Sequence, residues 1–163
     1  MTMAAVSAPD LVLAVGNPSR GDDAVGPRLA ERLQAWLGSP EGAPWAGQVE
    51  VICDLQLMVE HTLDVQGRRR VLFVDAAASG APAVRLQPVL PTPTLAVSSH
   101  QCTPAQLLGL LPAALQIEPP PADLLAVGGE QFELGAGLSD AMSARLETAW
   151  GALRAWVRAP VGG

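Results

Sequence analysis

Positive charge, cysteine and long apolar runs are all scarce in this chain, and each scarcity removes a class of function. Ten basic residues stand against sixteen acidic ones, for a formal net charge of -6. Nucleic-acid binding leans on phosphate neutralisation by basic side chains, so no nucleic-acid partner is expected. The one basic run, Arg68-Arg69-Arg70, reads as a solvated turn before a strand. No apolar stretch approaches the roughly 18 to 20 residues that span a bilayer, so no membrane partner is expected either. The opening MTMAAVSAPD has no basic n-region and no apolar h-region, which leaves a cytoplasmic location as the expectation. The two cysteines, Cys53 and Cys102, stand in no metal-binding spacing and read as small buried apolar residues in a reducing compartment. A G-x-S-x-G elbow is missing, and so are G-x-G-x-x-G and the P-loop pattern, which argues against serine-hydrolase, dinucleotide and nucleotide-phosphate chemistry.

What is present is apolar periodicity. With 163 residues, 49% of them hydrophobic, the chain reads as one domain over residues 1–163, its core at about 10–158. Leu11–Val15 is too short for a lone helix and reads as a buried parallel strand, broken by Gly16-Asn17-Pro18. Helix 1 follows from about Ala24 to Leu37, with Val25, Leu29, Leu33 and Trp36/Leu37 at helical spacing. A second strand is expected at Val49–Cys53, a helix at about Leu55–Val65 and a third strand at residues 71–75. The alternating Val84, Leu86 and Pro88/Val89 follow too soon for a crossover helix, so that strand should run antiparallel. Thr103, Pro104 and Gln106 form a capping box at the start of helix 3. Glu118 to Asp123 is a stiff connector, Leu124–Val127 a fifth strand, and Ser139 the N-cap of a long last helix. Alternating strands and helices imply a three-layer α/β/α sandwich around a mixed sheet of about five strands, mostly parallel with one antiparallel.

Several polar residues fall where strands hand over to helices, the edge at which such folds keep their ligands. Asp22 and Asp23 precede helix 1, Asp54 follows strand 2, Asp75 ends strand 3, and His100 precedes helix 3. Two acids before a helix are either a cap or part of a cation site. Asp75 can equally cap a turn, and His100 can be an ordinary loop residue. His61, beside Glu60, reads as structural or exposed. Taken together, Asp23, Asp75 and His100 form an oxygen-plus-imidazole set suited to an ion such as nickel or zinc. Ser98, Ser99 and Cys102 neighbour His100, but nucleophile–histidine pairs are assembled by the fold rather than by sequence adjacency.

In this order these residues resemble the nickel-iron hydrogenase maturation proteases. Gly16-Asn17, Asp22-Asp23 and Gly26 match the family's G-N-x-x-x-x-D-[DE]-x-x-G. VLFVDAA, with Asp75, matches its strand ending in Asp-Ala, and SSHQCTPAQLLGL, with His100, matches its histidine before a helix. The resemblance spans about residues 10 to 157. Ala24 departs from it, standing where many members have glycine. CDLQLMVEH, residues 53 to 61, replaces an Asp-Gly-Gly-type turn and points to members serving NAD-reducing bidirectional hydrogenases. The resemblance implies an endopeptidase that removes the C-terminal extension of the nickel-loaded hydrogenase large subunit. It implies metal contacts at Asp23, Asp75 and His100 and nickel presented by the substrate. Either the metal acts as a Lewis acid or lowers the pKa of a water, or Asp23 or Asp75 is the catalytic general base and nickel serves only for recognition. A monomer meeting one large partner is the simpler expectation. A non-catalytic nickel-dependent chaperone or scaffold for the immature subunit is the rival reading, and an unrelated hydrolase acting on nucleosides or peptides a third.

Overall fold

Five strands form one twisted sheet in the computed structural model, which describes residues 7–93 and 100–161. They are β1 (Asp10–Val15), β2 (Val49–Asp54), β3 (Arg70–Ala77), β4 (Val84–Pro88) and β5 (Ala122–Gly128), in the spatial order β2-β1-β3-β5-β4. All neighbours are parallel except β4, which runs antiparallel to β5 along the edge. This is the mixed sheet expected from the sequence.

Strand periodicity sorts the core into two layers. Val12, Ala14, Leu72, Val74, Leu125 and Val127 face α1 (Val25–Leu37) and α4 (Asp140–Arg158). Leu11, Leu13, Val71 and Phe73 face α2 (Thr62–Val65) and α3 (Pro104–Leu110). β1 and β3, covered on both sides, are continuous apolar runs, as buried parallel strands must be. In α4, Met142, Trp150, Leu153, Trp156 and Val157 are buried as expected, while Leu146 is partly buried.

Chain direction reverses between β1 and β3. The first crossover leads outward from β1 to β2, and the next returns past β1 to β3 on the opposite face. A crevice therefore opens at the carboxyl ends of β1 and β3, the switch point of the sheet. Two glycines let the backbone close around it. A Cβ on Gly16, whose φ is +150°, would lie 2.0 Å from the carbonyl oxygen of Asp23. A Cβ on Gly26 would lie 2.3 Å from the carbonyl oxygen of Val15, so α1 packs backbone-close on β1.

Three local expectations are overturned. Residues 55–57 are not helical: the helical stretch starts only at a 3-10 turn, Val59–His61, before α2. Segment 57–59 instead pairs with residues 100–102, through Val59 N–H to the His100 carbonyl (2.8 Å) and Cys102 N–H to that of Leu57 (3.1 Å). This tertiary pairing outcompetes a local helical pattern. Arg68-Arg69-Arg70 is not a solvated turn. Arg69 and Arg70 each reach the buried carboxylate of Asp10 at 2.9 Å, and Arg68 is itself buried against Glu50 and the Ala8 carbonyl. A buried acid at the start of an interior strand requires that neutralisation. Cys53 is exposed rather than buried, because β2 is an edge strand whose carboxyl end runs out into solvent; both cysteines are free thiols.

Gly26→Ala forces α1 off β1, so we expect a loss of about 2 to 3 kcal/mol, the usual scale for overpacking, read from the urea midpoint.

Candidate active site

The switch-point crevice is a cavity of about 540 Å³. β1 and its turn supply Val15, Gly16 and Asn17; β3 supplies Phe73 and Asp75. One wall is Leu55-Gln56-Leu57, and another is Gln101 to Pro104 at the start of α3. Arg20 and Asp23 close the remaining side.

Asp22 and Asp23, adjacent in sequence, do different work. The 3-10 turn Gly21–Ala24 holds both, and neither caps α1 with its side chain. Pro27 falls in the first turn of α1, where backbone N–H groups lack an intrahelical acceptor, so it sacrifices no helix bond. Asp22 turns inward and is fully buried. Its carboxylate accepts from Glu130 N–H (2.7 Å), Gln131 N–H (3.1 Å), Ser139 N–H (2.7 Å) and the Ser139 hydroxyl (2.7 Å). Burial alone would raise its pKa, but these donors outweigh burial and hold it below the ordinary carboxylate range. Ser139 is also the N-cap of α4, with its hydroxyl accepting from Met142 N–H at 3.1 Å. Asp22 is therefore a structural staple between the first turn and α4.

Asp23 turns outward into the cavity, where its carboxylate accepts the Asn17 N–H at 2.6 Å. Asp75 meets it from β3. Partial burial pushes the Asp75 pKa up to about 6; a hydrogen bond from Ala76 N–H opposes this, and the neighbouring Asp23 charge adds to it. Asp75 caps no turn, because β3 continues to Ala77. Two carboxyl groups in one crevice, one with its ionisation shifted toward neutrality, have the electrostatic signature of acid–base chemistry.

His100 does not join them in this structure. Its imidazole is 75% exposed, and Nδ1 lies 2.9 Å from Glu60 Oε1. Among the described residues, no three His, Cys, Asp or Glu side chains are grouped closely enough to hold a metal ion. Asp54 also stays out of the cavity lining, accepting Leu55 N–H (2.7 Å) and facing His61 Nε2 (3.3 Å). His61 is structural, as expected: it is buried, with Nδ1 accepting the Met58 N–H at 2.9 Å. Ser98 and Ser99 lie outside the described residues. Sequence reasoning missed Arg20, which lines the cavity, and the stapling role of Asp22. The spacing within residues 16 to 26 holds the only hint of either.

Solved structures share this architecture. The hydrogenase maturating endopeptidase HybD from E. coli aligns with a TM-score of 0.67 at 25% identity, over 91% of each chain. The nickel-iron hydrogenase maturation protease HycI from Thermococcus kodakarensis KOD1 gives 0.65 at 20% identity, over 92% of each chain. A hydrogenase 3 maturation protease gives 0.61 at 21% identity, over 92% of each. No protein-family model and no curated protein matches the sequence. The chain thus has the fold of the hydrogenase maturation endopeptidases.

Two variants separate staple from site. Asp22→Ala strands three backbone donors and should cost about 3 to 5 kcal/mol in urea unfolding. Asp75→Asn should do the reverse. The folded pKa lies above the ordinary 3.8, so the folded state binds the extra proton between about pH 4 and 6. Its stability penalty is absent below that window and fully present above it. At pH 7 the asparagine variant should be more stable by about 1 to 3 kcal/mol, and at pH 4 the difference should vanish.

Proposed function

We propose that this protein is an endopeptidase that removes the C-terminal extension of a nickel-iron hydrogenase large subunit once nickel has been inserted. The observation that carries the reading is the meeting of Asp23 and Asp75 in one open cavity at the switch point of a maturation-endopeptidase fold. The sequence resemblance supports it over the same residues.

Peptide hydrolysis asks this cavity for a base and an acid. Water attacks the scissile carbonyl carbon while a carboxylate, Asp23 or Asp75, takes a water proton. The carbon–nitrogen bond then breaks, and the same proton passes to the leaving amine. Nickel enters as part of the substrate. Asp23 and Asp75 are the side chains poised to meet it, and His100 would first have to leave Glu60. An incomplete ligand set suits brief docking on an ion already held by the precursor better than permanent binding.

The finer reading is that the precursor belongs to an NAD-reducing bidirectional hydrogenase. Its support is local: Leu55, Gln56 and Leu57, from the stretch that replaces an Asp-Gly-Gly-type turn, are a cavity wall. A substrate chain entering the crevice would touch that wall. We further propose that the protein acts as a monomer in the cytoplasm, where an exposed thiol such as Cys53 stays reduced. Among the described residues no helix is long and apolar enough to cross a membrane.

The test is the C-terminal mass of a nickel-loaded large-subunit precursor incubated with the protein. Wild type should shorten it, while Asp23→Asn and Asp75→Asn should each slow cleavage at least about 100-fold. With Asp75 as base, kcat/KM, which reports the free enzyme, should rise with pH around a midpoint near 6. Stable association without a mass change would instead establish a scaffold, and cleavage of nickel-free precursor a generic peptidase.

A further inference from the structure

Arg20 is held in place by its backbone and left unspent by its side chain. Its N–H donates to the Asn17 carbonyl (3.1 Å), and its own carbonyl accepts from Asp23 N–H (3.0 Å). The flanking residues are tied to the loop before α4: Gly135 N–H donates to the Ser19 carbonyl (2.7 Å), and Gly21 N–H to the Ala136 carbonyl (3.1 Å). The Ser19 N–H is taken by the Asn17 side chain at 2.9 Å. Yet among the described residues the guanidinium has no hydrogen bond or ion pair, although acids outnumber bases in the chain. It is also the one cationic side chain among the described residues that line the cavity.

A fixed backbone brings an exposed, unpartnered guanidinium to the lining of a cavity that also holds two carboxyl groups, where it is free to meet a negative charge that forms during the reaction. When water adds to the scissile carbonyl, the carbon–oxygen π pair moves onto oxygen and makes an oxyanion in a cavity that already holds Asp23 and Asp75. A permanently acidic substrate group would meet those same carboxylates before any chemistry, whereas an oxyanion exists only as the bond forms. We propose that Arg20 is a catalytic residue whose guanidinium hydrogen-bonds this oxyanion and stabilises the tetrahedral intermediate. The charge then returns to re-form the carbonyl as the carbon–nitrogen bond breaks and the amine leaves with its proton. A cation aimed at charge present only in the transition state raises kcat rather than ground-state affinity.

This role rests on the endopeptidase reading and is tested with the same nickel-loaded large-subunit precursor. Arg20→Ala should lower kcat by about 100- to 1000-fold, the usual cost of losing one oxyanion donor, and leave KM within about threefold. Guanidinium ion added to the buffer should restore part of the lost kcat in Arg20→Ala and none in Asp75→Asn. Arg20→Lys should recover an intermediate rate. The melting temperature should not move, because the side chain bonds to nothing described. An unchanged kcat in Arg20→Ala, or a loss confined to KM, overturns the role while leaving the endopeptidase standing. No cleavage by wild type overturns both.

Discussion

The site depends on one buried carboxylate. Asp22 ties the turn after β1 to the loop and N-terminus of α4, more than a hundred residues further on, through four donors. A buried anion is tolerable only when fully hydrogen-bonded, and here the partners are mostly backbone groups that would otherwise be orphans themselves. That reciprocal need fixes the position of the turn. Its next residue, Asp23, is thereby aimed at Asp75, and its preceding residues carry Arg20 on a backbone bonded on both sides.

A second constraint is topological. The sheet order separates β2 from β3 by β1, so no crossover covers the carboxyl ends of β1 and β3. Gly16 and Gly26 let α1 approach β1 without filling that gap. Strand ends, which are rigid, supply Asp75 and the turn that bears Asp23, while loops supply the walls. Stiff placement of two carboxyl groups sustains the electrostatic tension between them, at the cost of stability that Asp75 imposes at neutral pH.

Elements whose information is local were legible in the sequence. The Thr103 capping box, the Ser139 N-cap and the antiparallel β4 are where residue type and spacing put them. Asp23 and Asp75 were legible because strand ends in a parallel sheet share one edge. Features set by distant pairing were not. Leu55 to Leu57 resemble a helix start until residues 100–102 are laid beside them. Three consecutive arginines look like a solvated turn until Asp10 is found buried beneath two of them. The Asp22 staple joins groups that no window of sequence contains, and the Glu60 contact of His100 joins a 3-10 turn to a distant loop.

The separation of floor from wall has a consequence for how such proteins diverge. Asp23, Asp75 and the Asp22 staple sit on the sheet edge and its anchored turn, whereas Leu55 and Gln56 are exposed and lie outside any helix or strand, with buried Leu57 anchoring them to residues 100–102. Substitutions at Leu55 and Gln56 can therefore redraw that rim while Asp23 and Asp75 keep their places. Duplicated copies of such a fold can diverge in the shape of the rim at a few positions while the floor beneath stays as it is.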